Sequence, residues 1–135
     1  MAWFKIDDLL HGHPKTRKAD LPAMGLWAVA GSYAMAYKLD GHIDAEWVAS
    51  WRNGTRLAAR LVQAGFWHPA GHDCHECPQP RDQDGWVFHN WADVQPSATE
   101  IEKTRAAARE RQAAHRQRRR QPDGTFGKPS NVHAL

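Results

Sequence analysis

All seven tryptophans of this 135-residue chain lie at or before Trp91: Trp3, Trp27, Trp47, Trp51, Trp67, Trp86 and Trp91. Large aromatic side chains bury much area per residue, so a stretch of only ninety or so residues can still assemble a compact core. Beyond Trp91 the one aromatic is Phe126. The pattern predicts a core that ends near residue 95.

Charge divides at nearly the same place. Residues 101–120 hold eight Lys/Arg against two Glu, whereas residues 1–100 hold nine Lys/Arg against twelve Asp/Glu. A mildly acidic body with a basic arm points to a polyanionic partner, most often nucleic acid. Two cysteines are too few to staple a small secreted scaffold. No apolar run approaches the roughly 20 residues that span a bilayer. The opening Met1-Ala2-Trp3-Phe4-Lys5-Ile6-Asp7-Asp8 lacks the basic and apolar regions of a signal peptide. These features predict a soluble protein of the cytoplasm.

Along the chain, Trp3–Ile6 alternates loosely and reads as a short edge strand. His11-Gly12-His13-Pro14 is a breaker, Lys15–Ala19 is one helical turn, and Pro22, at an N1 position after Asp20 or Leu21, opens a helix. Leu21, Met24, Ala28, Gly31 and Met35 make one apolar row of that helix, and Trp27, Ala30, Ala34 and Tyr37 make a second. A helix so apolar on nearly all sides is expected at the buried centre of the domain. Asp40-Gly41 ends it, and His42-Ile43 is a very short strand. Asp44 caps a helix over 45–52, Asn53-Gly54 is a tight turn, and Thr55 caps a helix over 55–64 that closes at Gly65. Phe66-Trp67-His68 and Gly85-Trp86-Val87-Phe88-His89 are the strands of a hairpin with a long polar tip. Helix, helix-turn-helix and hairpin together predict an α+β winged helix over residues 1–95. Ser97-Ala98-Thr99-Glu100 fits a capping box for a basic helix within 96–121, which lacks an apolar stripe. Residues 122–135 read as a flexible tail.

The sharpest cluster is His72-Asp73-Cys74-His75-Glu76-Cys77-Pro78, with His68 and His89 in the flanking strands. A Cys-x-x-Cys knuckle sets two thiolates on one ion, and zinc takes four N/S ligands in a tetrahedron. The candidate ligands are Cys74, Cys77, His72, His68 and His89, and the expected zinc is structural, since a polar, core-free wing gains order from a metal. Ordinary thiols and a redox dithiol are the alternatives, although Pro78 and Pro80 disfavour the helix a redox pair normally precedes. His11 and His13 read as a solvated turn, and Asp7-Asp8 and Asp82-x-Asp84 as exposed charge. No nucleophile elbow, phosphate loop or dinucleotide fingerprint occurs, so no enzymatic activity is expected.

Arg56, Arg60 and Gln63, spaced i, i+4, i+7 with Arg52 one turn earlier, form a polar stripe where a recognition helix meets DNA. A plain solvated face is the alternative. On the arm, Lys103, Arg105, Arg109, Arg111, Arg116, Arg118, Arg119 and Arg120 can neutralise phosphates without reading sequence. An arm that binds protein is the alternative there.

Trp3-Phe4-Lys5-Ile6-Asp7-Asp8, His13-Pro14-Lys15, Gly25-Leu26-Trp27-x-x-Ala30-Gly31-Ser32, Leu61-Val62-x-Ala64-Gly65-Phe66-Trp67-His68 and Phe88-His89-Asn90-Trp91-x-x-x-Gln95-Pro96 occur in that order. As a set they resemble a family of small actinobacterial phage and prophage proteins. That family is described as helix-turn-helix or winged-helix and is similar to the N-terminal domain of phage replisome organisers. The resemblance covers about residues 3–100. Some members carry a Gly-His-x-Cys-x-x-Cys-Pro insert, matched here by Gly71-His72-Asp73-Cys74-His75-Glu76-Cys77-Pro78. It implies DNA binding in phage replication initiation or transcriptional regulation, in the bacterial host cytoplasm. Where a full initiator has a second domain to recruit a helicase loader, this chain shows only the basic arm. The rival expectation is an adaptor that uses the winged helix as a scaffold for a host or phage protein. Pairing of Arg52, Arg56 and Arg60 with carboxylates of the same molecule would favour it. A homodimer on two half-sites is compatible with either, without a heptad seam to support it.

Overall fold

His13 and Pro14 start the first long helix, α1 (Pro14–Ala36), with the His13 ring accepting the Lys15 N–H at 3.1 Å. The computed structural model describes residues 2–119. Within α1 the chain breaks at Asp20, whose φ of 70° and ψ of 164° are not helical. The Asp20 carboxylate then accepts the Leu21 N–H at 2.8 Å, and Pro22 restarts the helix. One turn, a break and a proline-led restart is the arrangement the sequence predicts. The second run buries Ala23, Met24, Leu26, Ala30, Gly31, Ala34 and Met35, but its ends do not share that burial. Leu21 and Tyr37 are exposed, so each apolar row has one end in solvent.

Strand β1 (His42–Ile43) follows as expected. Helix α2 (Ala45–Ala49) is capped by Asp44, which accepts the Trp47 N–H at 2.9 Å, and is shorter than the predicted 45–52. The chain must turn early because α3 (Gly54–Ala64) begins at Gly54, with Asn53 rather than Thr55 at its N-cap position. A Cβ on Gly54 would overlap the Val48 carbonyl oxygen, so only glycine lets the two helices meet this closely. Helix α3 closes at Gly65, which takes the left-handed φ of 91° expected of a glycine at that position.

Strands β2 (Trp67–Pro69) and β3 (Trp86–Phe88) complete a three-stranded antiparallel sheet of order β1-β3-β2. His42 faces Val87 across one ladder, and His68 faces Val87 across the other. The protein is thus α+β, with the small sheet beside α1 and α3 over a core of Ile43, Val48, Leu61, Trp67 and Val87. Trp3–Ile6 is not a strand. Its Lys5 N–H donates to the Gln95 Oε1 at 2.9 Å, and Gln95 Nε2 donates back to the Lys5 carbonyl at 2.7 Å. A buried glutamine side chain therefore takes the place of a neighbouring strand.

A short helix, α4 (Trp91–Val94), follows the sheet, and α5 (Ala98–Arg118) is the basic helix. The chain divides into a unit ending at Ala98 and a unit starting at Thr99. The predicted helix stop at Gln121–Gly124, Arg120 and the tail lie outside the described residues. Tryptophan supplies less of the core than its distribution suggests. Trp67 and Trp91 are buried, whereas Trp3 is 73% and Trp51 46% exposed.

Candidate metal centre

Antiparallel pairing of β2 with β3 brings His68 and His89 to the same end of the hairpin, where the His89 N–H also donates to the Phe66 carbonyl at 2.8 Å. The polar tip folds back over that end and delivers Cys74 and Cys77. The donor atoms of His68, Cys74, Cys77 and His89 all lie within 4.8 Å of one another, and this group can bind a metal ion.

The spacings can be held against the tetrahedron such a donor set demands. With metal–sulfur bonds of about 2.3 Å and metal–nitrogen bonds of about 2.0 Å, its S–S edge is about 3.8 Å and its S–N edges about 3.5 Å. Cys74 Sγ and Cys77 Sγ stand 3.6 Å apart, and His89 Nδ1 is 3.8 Å and 3.4 Å from them. The exception is His68 Nε2, which sits 2.8 Å from His89 Nδ1, a hydrogen-bond length. An ion would open that edge by about 0.5 Å, replacing one shared proton with two metal bonds. Cys74, Cys77 and His89 stand at the spacings of a tetrahedral site, and a shift of His68 would complete it.

Electrostatics favour the neutral imidazoles that ligation needs. Burial, and then the neighbouring His72 and His89 rings, push the His68 pKa down. Burial, followed by the Lys15 ammonium, does the same to His89. Burial raises the Cys77 thiol, against the Asn90 N–H, which donates to its sulfur at 3.4 Å and favours the thiolate. Bound metal would supply the positive charge that removes the thiol protons.

His72, the candidate next to the knuckle in sequence, is not in the four-atom group. Its Nε2 is 2.8 Å from the Pro78 carbonyl and must donate to it, while its Nδ1 accepts the Cys74 N–H at 3.1 Å. Both ring nitrogens are spent on shaping the knuckle. Its ring also stacks on His68, with centroids 4.7 Å apart. Two supporting residues carry no signal in the sequence. Gln79 spans the tip, accepting the Gly71 N–H at 2.7 Å and donating to the His72 carbonyl at 2.9 Å. Asn90 takes a left-handed φ of 57°, which turns its N–H toward Cys77. Asp82, read as free surface charge, instead accepts the Ala45 N–H at 2.8 Å and the Asp84 N–H at 3.0 Å. Those bonds lower its pKa and tie the hairpin tip to the start of α2.

Family models, curated proteins and solved structures contain no match to the chain.

Arg52, Arg56, Arg60 and Gln63 are all exposed, the last three on α3. Arg60 lies 4.0 Å from the Asp20 carboxylate with both side chains more than half exposed, so solvent screens the pair. Among the described residues, no carboxylate lies within 4.0 Å of Arg52 or Arg56. On α5, Arg109 and Arg116 are exposed and Arg105 is half-buried. His11 and His13 make local turn bonds, to the Asp8 carbonyl and the Lys15 N–H. Among the described residues, no helix is long and apolar enough to cross a membrane.

Proposed function

We propose that residues 1–95 are a winged-helix domain that binds DNA without catalysis, with a structural zinc ion pinning the wing. The observation that carries this reading is the outward face of α3. It follows α2 across a tight turn, presents Arg56, Arg60 and Gln63 to solvent, and leads directly into the hairpin that carries the four candidate donors. Helix α3 would enter the major groove, with Arg and Gln at base edges or phosphates. Arg52 would hold the backbone, and Arg105, Arg109 and Arg116 on the basic helix would add counterion release. Four protein donors complete a tetrahedron and leave no open position for substrate, which supports a structural ion over a catalytic one. The biological setting we infer is phage or prophage replication initiation or transcriptional regulation, in the host cytoplasm.

Fluorescence anisotropy of labelled duplex DNA against salt tests the reading, using the full chain throughout. Joint replacement of Arg52, Arg56 and Arg60 by alanine is expected to abolish binding at moderate salt. Replacing Arg109, Arg111 and Arg116 should mainly flatten the salt dependence, by about 0.9 in the log–log slope for each phosphate the basic helix no longer neutralises. If the α3 variant binds as tightly as the unaltered chain at every salt concentration, α3 is not a DNA-reading helix.

One observation favours the adaptor reading instead. Tyr37, Tyr33, Trp47 and Trp51 form a continuous row, with centroid separations of 5.3, 4.3 and 5.9 Å. Tyr37 is 67% exposed, and Tyr and Trp are the residues protein interfaces favour. Loss of DNA binding in neither variant would turn attention to this row.

A further inference from the structure

A cavity of about 210 Å³ lies among the N-terminal segment, the first turn of α1 and the end of β3. Its walls are aromatic, with Phe4, Trp27, Phe66, Phe88 and Trp91 all lining it. These rings brace one another. Phe4 stands 5.0 Å from Trp27 and 5.9 Å from Trp91, and Phe88 is 5.0 Å from Trp91. Space of this size is the share of about seven liquid waters, and ring carbon offers them few hydrogen bonds. An apolar occupant therefore gains by displacing them.

One cation reaches the same space. Lys15 lines it half-buried, and among the described residues its Nζ donates only to the Gly65 carbonyl, at a long 3.5 Å. No carboxylate lies within 4.0 Å of that ammonium among the described residues. The acid that also lines the cavity, Asp7, has an oxygen committed to the Leu9 N–H at 2.9 Å. A partly desolvated ammonium with donors to spare above an aromatic chamber is complementary to an anion with an apolar body.

We propose that this cavity binds a small apolar carboxylate, its hydrophobic body against the aromatic walls and its carboxylate on Lys15 Nζ. The site stands independently of the DNA reading. It is placed to matter to the rest of the domain, because the same cavity is lined by Gly65, the cap of α3, and by His89 of the metal-binding group.

Calorimetric titration of the zinc-loaded full chain with 1-naphthoate, and separately with its neutral counterpart 1-naphthalenemethanol, tests the proposal. The acid is expected to bind at least about tenfold more tightly than the alcohol, as a charge-assisted contact requires. Lys15→Gln should erase that preference while leaving the alcohol's affinity in place. Lys15→Arg should keep it, and Lys18→Gln, an exposed neighbour outside the cavity, should change neither ligand. Indole N–H resonances of Trp27 and Trp91 should shift on titration, which locates the site without any variant. The proposal is overturned if neither compound binds, if acid and alcohol bind equally, if the preference survives Lys15→Gln, or if the indole shifts fall elsewhere.

Discussion

Withholding zinc should loosen the hairpin tip before it loosens the core. The hairpin tip, residues 70–84, buries only Pro80, so almost no apolar burial opposes the entropy of ordering it. That entropy is about 1–2 kcal/mol per residue for the backbone alone. What holds the tip is the Gln79 bridge, the two bonds of His72, the ties of Arg81 to His42 and of Asp82 to the Ala45 N–H, and the four convergent donors. At free zinc one hundred times the dissociation constant, an ion that binds only the folded chain adds about 2.7 kcal/mol. For a domain of this size that is a shift in Tm of about 10–20 °C. Thermal unfolding under reducing conditions, with zinc or with a chelator, should show this difference. Hydrogen exchange on the chelated protein should show tip amides losing protection while those of Ala30, Leu61 and Val87 keep theirs. The reasoning fails if chelation leaves Tm unchanged and the two thiols react with a disulfide reagent equally fast with and without zinc.

Three further outcomes follow from particular contacts. Because His68 and His89 are held neutral and the Cys77 thiol is held protonated, loading near neutral pH must release the Cys77 proton. Apparent zinc affinity should therefore rise at least about 10-fold per pH unit below the thiol range, as competition titrations at several pH values would show. Gly54→Ala places a methyl on the Val48 carbonyl and should cost about 1–3 kcal/mol in denaturant unfolding, with no change in zinc stoichiometry. Gln95→Ala removes both bonds to Lys5 and should cost about 1–3 kcal/mol, with exchange protection lost at the Lys5 amide.

The elements that local chemistry specifies are the ones the sequence shows plainly. Gly65 after an apolar-periodic run closes α3, Asp44 opens α2, and the break at Asp20 before Pro22 falls where a proline-led helix must begin. Trp3–Ile6 misleads because alternation is the same whether the segment's partner is a strand or a glutamine side chain from ninety residues away. The ends of α2 and α3 are hidden for a related reason. They depend on how closely Gly54 approaches Val48, which is a fact of packing and not of periodicity. The exposure of Trp3 and Trp51 has the same origin, since composition counts aromatic area without saying which side of it faces inward.

At the candidate metal centre the sequence offers both cysteines and three histidines, His68, His72 and His89, and does not choose among the three. The fold brings His68 and His89 to the cysteines across the ladder and leaves His72 aside, a selection open to a direct test. His72 keeps Nε2 on the Pro78 carbonyl and Nδ1 on the Cys74 N–H, so it shapes the Cys74–Cys77 turn without facing the ion. His72→Ala should preserve one metal per chain and the visible spectrum of cobalt in a tetrahedral two-sulfur, two-nitrogen site. Its affinity should fall by about 10–100-fold, the usual cost of losing a residue that orients ligands. His89→Ala and His68→Ala each remove a donor, so the cobalt spectrum itself should change in intensity and position. A His72→Ala protein that loses the tetrahedral spectrum, beside a His68→Ala protein that keeps it, would reverse the assignment and make the knuckle histidine the ligand.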